Sequence, residues 1–198
     1  MSKLTLCYPV KPFIVTQSFG VNGEYYRANG INIAGHNGLD LRALHGQPVY
    51  ASHDGTCFPE IDDKQGNGIV IRSDEEVLYD GKLVRMKTIY WHLIKADAVV
   101  KTGQKVKTGD LIGYADNTGF SNGDHLHYGL KPQAWNESDW TWANLEQNNG
   151  YFGAIDPTPF FNGIFAIDYM EKLLGLYRQY INLLNVYKRM VELLSKKK

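Results

Sequence analysis

The stretch Asp124-His-Leu-His-Tyr-Gly-Leu130 contains a short β-prone run that begins directly after the turn residues Asn122-Gly123. Similar runs occur on its N-terminal side, separated by turns that contain glycine, such as Asp54-Gly55. Many short strands with closely spaced turns predict an all-β sandwich or barrel. The other runs of this kind span residues 47–51, 68–72, 85–91 and 110–114.

The composition changes after the proline-containing segment 156–161. Residues 167–194 contain no proline and one glycine, and apolar residues recur there at alternating spacings of three and four. This heptad spacing predicts an amphipathic α-helix. We therefore divide the chain into a β-rich domain, residues 1–162, and a C-terminal helical segment, residues 163–198. The apolar stripe of the helix consists of Met170, Leu173, Tyr177, Tyr180, Leu184, Tyr187, Val191 and Leu194, widened by Ile167, Leu174 and Ile181.

The charge of the chain is balanced overall but not along its length. Among 198 residues there are 21 Lys and Arg and 21 Asp and Glu, and the β-rich domain has no basic cluster. Electrostatics therefore gives no reason to expect a nucleic-acid partner. The net charge is −4 over residues 1–162 (14 basic, 18 acidic) and +4 over residues 163–198 (7 basic, 3 acidic).

The predicted helix could pack on three kinds of surface: its own β-rich domain, a membrane or another copy of the chain. The opposite charges of the two segments favour docking of the helix on the β-rich domain, whereas its lysine-rich end would suit an anionic membrane surface. The regular heptad spacing favours self-association through the helix of residues 167–194, and we prefer this alternative.

Targeting signals and cysteine pairs are absent from the sequence pattern. No apolar run reaches the roughly 18 residues that a membrane span needs, and the first nine residues lack the apolar region of a secretory signal peptide. Cys7 and Cys57 are isolated in the sequence, which predicts neither a disulfide framework nor a cysteine-based zinc site.

Two histidine motifs indicate metal chemistry. Gly35-His-Asn-Gly-Leu-Asp40 places a histidine four residues before a carboxylate, and His125 and His127 lie two apart in a β-prone run. Side chains two apart on a strand share one face. Two imidazoles on one face can join a histidine and an aspartate in a zinc site that keeps one position for water. Each motif alone is more often a pair of ordinary polar side chains, so spacing by itself leaves metal binding undecided.

Together the motifs resemble the lysostaphin-type, LytM-like zinc endopeptidases, in order and over about residues 8–160. The matching stretches are Phe19-Gly20, Gly35-His-Asn-Gly-Leu-Asp-Leu41, Gly46-Gln-Pro-Val-Tyr-Ala51, Asp54-Gly55, Gly66-Asn-Gly-Ile-Val-Ile71, Tyr90-Trp-His-Leu93, Gly103-Gln-Lys-Val-Lys-Thr-Gly-Asp110 and Asn117-Thr-Gly-Phe-Ser-Asn-Gly-Asp-His-Leu-His127.

The resemblance implies a fold, a metal and a set of roles. The fold is a mainly β, antiparallel β-sandwich with an open groove, the duplicated hybrid motif, to which the C-terminal α-helix is appended. His36, Asp40 and His127 correspond to the ligands of one Zn²⁺ ion. His92 and His125 correspond to two catalytic histidines that do not bind the metal, and the sequence does not assign the general base to either.

The resemblance also implies a substrate. The family hydrolyses peptide bonds in bacterial peptidoglycan, in stem-peptide cross-links or glycine-containing bridges, so the chain is expected to act at the bacterial cell wall. Since no signal peptide is recognised, the export route stays open, and a phage-encoded lysin or a virion-associated enzyme is one origin.

Two rival functions are weaker. A non-catalytic wall-binding or regulatory domain on the same fold would not need all five histidine and aspartate positions, and a lipoyl- or biotinyl-carrier domain would need a lysine within residues 115–119, which have none. His45 and His53 match no family position and are expected to be loop or surface residues. Aromatic residues after the second histidine motif either line the groove or pack a loop: Trp135, Trp140, Trp142, Tyr151 and Phe152.

Overall fold

The structure, a computed structural model, describes residues 4–137 and 141–195. The strands of this part range from two to twelve residues, and two α-helices accompany them. In chain order the elements are β1 (Leu6–Tyr8), β2 (Val15–Gln17), α1 (Gly23–Ala28), β3 (Leu39–Arg42), β4 (Pro48–Tyr50), β5 (Gly55–Asp62), β6 (Gly66–Ser73), β7 (Val77–Tyr79), β8 (Lys82–Trp91), β9 (Lys105–Val106), β10 (Leu111–Tyr114), β11 (His125–Asn136), β12 (Thr141–Asn144), a 3₁₀ turn (Thr158–Phe160), β13 (Phe161–Phe165) and α2 (Ala166–Ser195).

The main sheet is antiparallel and has nine strands among the described residues. Seven follow the order β2-β3-β11-β8-β6-β5-β9, while β12 pairs with β11 and β7 pairs with β8. A second, antiparallel pair consists of β4 and β10. The five β-prone runs of the sequence lie in β4, β6, β8, β10 and β11. The prediction of a mainly β, antiparallel fold with a C-terminal helix is confirmed.

The core lies between the main sheet and the β4–β10 pair. Leu41, Ile69 and Leu126 of the main sheet are fully buried, as are Val49 and Ile112 of the smaller pair, and all five belong to one cluster of apolar side chains. Because side chains alternate between the two faces of a strand, the opposite face of β3 and β11 is free to carry polar groups.

Two features were not predicted. The helix α1 has six residues, which is too short for a helical periodicity to be visible in the sequence. Strands β1 and β13 form a parallel pair, with Leu6 opposite Phe161. Their pairing joins segments about 155 residues apart along the chain, and no local pattern signals such a contact.

His53 lies in the loop between β4 and β5, so the predicted loop position is confirmed, but the alternative of a surface residue is wrong. His53 is only 5% exposed, because both ring nitrogens have partners inside the β-rich domain. Nδ1 lies 2.8 Å from the carbonyl oxygen of Asp54, and Nε2 lies 2.9 Å from Oγ1 of Thr88. Burial lowers the pKa of His53 from its ordinary value of 6.5, so the buried ring is neutral.

The helix α2 is held to the β-rich domain near its N-terminal end. Tyr8 of β1 contacts the rings of Phe161 and Phe165, and Lys11 Nζ forms an ion pair of 2.8 Å with Asp168 Oδ2. Beyond these contacts at its N-terminal end, most of the large apolar side chains of α2 are exposed. No helix among the described residues combines the length and apolar character needed to cross a membrane.

Candidate active site

Three adjacent strands bring the predicted site residues together. In the antiparallel register, Asp40 of β3 lies directly opposite His127 of β11, and His127 lies opposite Trp91 of β8 on its other side. Opposed side chains on neighbouring strands share one face of the sheet. His125 lies two residues before His127, so strand register gathers Asp40, His125 and His127, and His92 joins them from the position directly after β8.

Three side-chain atoms of the site form a small triangle. His36 Nε2 lies 2.9 Å from His127 Nδ1 and 3.1 Å from Asp40 Oδ1, and His127 Nδ1 lies 3.2 Å from the same oxygen. His36 is buried and the other two are partly buried. Two imidazole nitrogens and one carboxylate oxygen this close together could hold a metal ion.

The triangle has the dimensions that zinc requires. Ligand atoms at the corners of a tetrahedron with bonds of about 2.0–2.1 Å lie roughly 3.3 Å apart. The observed separations of 2.9, 3.1 and 3.2 Å are slightly shorter, so a modest outward movement of the side chains would bring them to that spacing. The chemistry of the donors therefore fits Zn²⁺, which these three residues would hold.

His36 is held in place from two sides. Its Nδ1 lies 3.2 Å from the carbonyl oxygen of Ser18, so Nδ1 carries the proton and Nε2 is left as the donor to a metal. The ring of Tyr26 stacks on His36 at a centroid distance of 6.0 Å, and Gln17 Nε2 donates a hydrogen bond of 2.6 Å to the Tyr26 hydroxyl.

The glycine of the first histidine motif, Gly38, lies close to other parts of the site. A Cβ atom at this position would lie 2.8 Å from the His127 ring and 2.6 Å from the carbonyl oxygen of Tyr128. Since real Cβ atoms do not approach this closely, a larger residue would displace the His127 side chain. The glycine is therefore a requirement of the site and not only of a turn.

His92 and His125 lie beside the triangle and their rings are 4.7 Å apart between centroids. His92 Nδ1 donates to the carbonyl oxygen of Thr118 at 2.7 Å, which leaves its Nε2 with a lone pair in the neutral ring. His125 Nδ1 donates to the carbonyl oxygen of Gly123 at 2.8 Å, and its Nε2 lies 3.4 Å from Asp40 Oδ1. The backbone of His92 has φ 67°, a conformation that is rare outside glycine and common at functional sites.

The electrostatics of the site separate its titrating groups. Burial alone would raise the pKa of Asp40, but hydrogen bonds with His125, His127 and His36 outweigh burial and hold this pKa well below its ordinary value of 3.8. Burial, followed by the charges of His127 and His125, lowers the pKa of His92 to about 4. Burial also opposes protonation of His125, but its hydrogen bond with Asp40 raises its pKa above 6.5. Asp40 is therefore ionised and His92 neutral near pH 7.

The site lies in a cleft with a volume of about 600 Å³. One wall comes from α1 and the residues after it, and the other from the segment 117–124. Tyr25 connects the walls, because its hydroxyl accepts a hydrogen bond of 3.0 Å from Asn122 Nδ2 and its ring lies 6.1 Å from that of Phe120. A cleft with walls on both sides and a cation site at its floor suits an extended chain that crosses the metal position.

Most aromatic residues of the cleft differ from those proposed on sequence grounds. Of the five candidates, Phe152 lines the cleft, Trp135 and Trp142 pack against each other, and Trp140 lies outside the described residues. Tyr151 packs against Phe19. Four aromatic residues that line the cleft were not predicted, although they lie close in sequence to the glycine-bounded motifs: Tyr25, Tyr26, Trp91 and Phe120.

His45 is exposed, as expected of a surface residue. Its Nδ1 lies within hydrogen-bond distance of Asp116 Oδ1, at 2.8 Å, and the His45 side chain is 65% exposed. It lies with Asp116 and Asp124 in a second group of candidate ligand atoms. This group lies largely in solvent, and we assign it no role.

Comparison with known proteins identifies similar chains. The model of the family described as Peptidase family M23 matches residues 34–139, which contain all five predicted site residues. The peptidoglycan DD-endopeptidase ShyA of Vibrio cholerae is 39% identical over 99 residues, which are 50% of this chain and 20% of that protein. A DD-carboxypeptidase/endopeptidase Mpg of Neisseria meningitidis is 36% identical over 94 residues, 47% of this chain and 19% of that protein.

Solved structures share the fold. The crystal structure of a zinc-containing peptidase from Vibrio cholerae superposes with a TM-score of 0.55 and 27% identity, over 78% of this chain and 39% of that one. The matches to the two curated relatives span about a fifth of those proteins, so the similarity concerns one domain of them.

Proposed function

This chain belongs to peptidase family M23, and from that membership and the geometry of its site we propose that it is a zinc endopeptidase of bacterial peptidoglycan. The observation that carries the proposal is the triangle of His36 Nε2, Asp40 Oδ1 and His127 Nδ1, with separations of 2.9–3.2 Å. These three residues would hold one Zn²⁺ ion. The zinc content of the solved Vibrio cholerae peptidase supports the choice of metal.

Zinc bound at this place would lower the pKa of a coordinated water and polarise a substrate carbonyl group. His92 is the general base of the proposal, since its Nδ1 is occupied by the Thr118 carbonyl oxygen and its neutral ring offers a lone pair at Nε2. His125 is the proton donor, since Nδ1 is held by the Gly123 carbonyl oxygen and Nε2 faces the site, where an N–H group can stabilise an oxyanion or protonate a leaving amine.

The substrate class rests on the cleft and on the relatives. A two-walled cleft suits a peptide in extended conformation, and the Vibrio and Neisseria relatives carry the names of a peptidoglycan DD-endopeptidase and a DD-carboxypeptidase/endopeptidase. We propose that this chain cleaves peptide bonds in stem-peptide cross-links or glycine-containing bridges of the wall, and therefore acts at the bacterial cell wall.

Digestion of defined muropeptides tests the proposal. The zinc-loaded protein is incubated with cross-linked stem peptides and with glycine-bridged peptides, and the released fragments are identified by mass. We expect new amino and carboxyl termini at one type of bond, and no cleavage after the metal is removed by a chelator. Release of no peptide fragment from either substrate, or equal cleavage without metal, would overturn the proposal.

A further inference from the structure

The helix α2 carries a long row of exposed apolar side chains. Twelve large apolar side chains of the described part of α2 are exposed by 40–69%. Monomeric proteins rarely expose contiguous apolar patches of more than a few hundred Å². The exposed side chains are Ile167, Leu173, Leu174, Leu176, Tyr177, Tyr180, Leu183, Val186, Tyr187, Met190, Val191 and Leu194.

We propose that the occupant of this face is the α2 helix of a second copy of the chain, packed in the antiparallel direction. A standard interface buries about 800 Å² on each partner, an area that a 30-residue helix with this many exposed apolar side chains can supply. Docking on the β-rich domain would cover the same face. In the structure, however, α2 packs mainly against β1 and β13 near its N-terminal end, so the domain does not cover this face.

The spacing of the stripe suits an antiparallel pair. Its positions are symmetric about residue 182, so that an inverted second helix brings Leu173 opposite Val191 of the other copy. Tyr177 then meets Tyr187, and Tyr180 meets Leu184. Every layer of the stripe therefore meets a partner layer along the whole helix.

Charge selects the antiparallel direction over the parallel one. Residues 163–180 carry two acidic and two basic side chains, whereas residues 181–198 carry one acidic and five basic ones, a net charge of +4. A parallel pair would place two such ends side by side. In an antiparallel pair, the C-terminal half of each helix, with its net charge of +4, lies next to the N-terminal end of the other helix. It also lies next to the β-rich domain of that copy, residues 1–162, whose net charge is −4. Opposite charges attract and like charges repel over this range.

The positions that flank the stripe widen the apolar surface. Leu176, Leu183 and Met190 follow each other at intervals of seven residues, next to the stripe, where two-stranded coiled coils usually carry charged side chains. The interface is therefore broader than a narrow two-residue seam. A broad interface also explains why Leu176, Leu183 and Met190, which lie beside the stripe, are apolar.

The oligomeric state of the full chain tests the proposal. We expect light scattering at about 100 µM to give twice the chain mass, since a Kd in the micromolar range populates the dimer at that concentration. Substitution of Tyr180→Asp together with Leu184→Asp should give the monomer mass, whereas Asn182→Asp, an exposed position outside the stripe, should keep the assembly. A monomeric unmodified chain, or an assembly that survives the double substitution, overturns the proposal.

Disulfide cross-linking tests the direction independently of stability. Cys7 and Cys57 are buried, so an introduced surface cysteine is the reactive one. We expect oxidised cross-links in a mixture of Leu173→Cys and Val191→Cys chains, and none when either variant is oxidised alone. Efficient cross-linking of Leu173→Cys with itself would show a parallel pair and would overturn the antiparallel arrangement.

Discussion

The β-rich domain buries many of its large apolar side chains, whereas α2 exposes most of its own. Leu126 of β11 is fully buried, whereas Leu183 of α2 is 69% exposed. The domain also holds all the proposed chemistry, because its strand register aligns Asp40 with His127. The core side chains of the domain are buried by contacts within the domain, whereas the apolar side chains of α2 are mostly exposed, and our proposal covers them with a second copy of the chain.

The largest expected effect concerns catalysis within the β-rich domain. Replacement of His92 or His125 by alanine should lower kcat/KM by roughly 10²–10⁴, the usual contribution of a general acid or base, while zinc content and fold are kept. His45→Ala is the matched control, since this exposed histidine pairs with Asp116 outside the proposed mechanism.

Either histidine variant with a normal rate would remove that residue from the mechanism. Loss of zinc from His125→Ala would show that His125, and not His127, is a ligand. A drop in rate for His45→Ala as large as for His92→Ala would show that the assay reports a general disturbance of the cleft.

The second prediction compares one substitution in the two regions. Leu126→Ala should lower the free energy of unfolding by about 2–5 kcal/mol, because a buried leucine leaves a cavity. Leu183→Ala should change it by no more than about 0.5 kcal/mol when measured on the dilute monomer, because an exposed side chain loses little contact. Chemical denaturation measures both. Equal effects would show that α2 docks on its own domain, contrary to our comparison.

The third and smallest prediction uses the buried histidine of the domain. Because the folded pKa of His53 is below its ordinary value of 6.5, the unfolded chain binds more protons as the pH falls below 6.5. The stabilising effect of a neutral His53 is therefore present above that pH and is lost progressively below it.

Urea denaturation of the metal-free protein between pH 7.5 and 5, in parallel with His53→Gln, isolates this effect, because the other histidines titrate in both proteins. We expect a steeper loss of stability in the unmodified chain. Parallel curves for the two proteins would mean that His53 does not contribute.

The sequence predicts the local features of the domain and misses the distant ones. The alternation along 125–130 predicts that His125 and His127 share a face, and the glycine-bounded motifs contain every residue of the triangle. The burial of His53 depends on Thr88, and the pairing of Leu6 with Phe161 depends on segments far apart in the chain. Such contacts follow from tertiary packing, which no local spacing records.

The cleft shows the same limit at the site itself. Tyr25 and Tyr26 belong to a six-residue helix whose periodicity is too short to be recognised, yet one connects the cleft walls and the other packs on His36. The helix α2 is the opposite case, because its heptad spacing predicts its presence from sequence. The same spacing does not decide between the surfaces that could cover the helix, so the second copy of the chain stays a proposal.

The central claim is that one Zn²⁺ ion is held by His36, Asp40 and His127, and elemental analysis of the purified protein tests it most directly. We expect one zinc per chain in the unmodified protein, much less in Asp40→Ala, and one per chain in the control Asp63→Ala, an exposed carboxylate in the β5–β6 turn. Circular dichroism should show that all three proteins are folded. Full zinc occupancy in a folded Asp40→Ala protein would contradict the account.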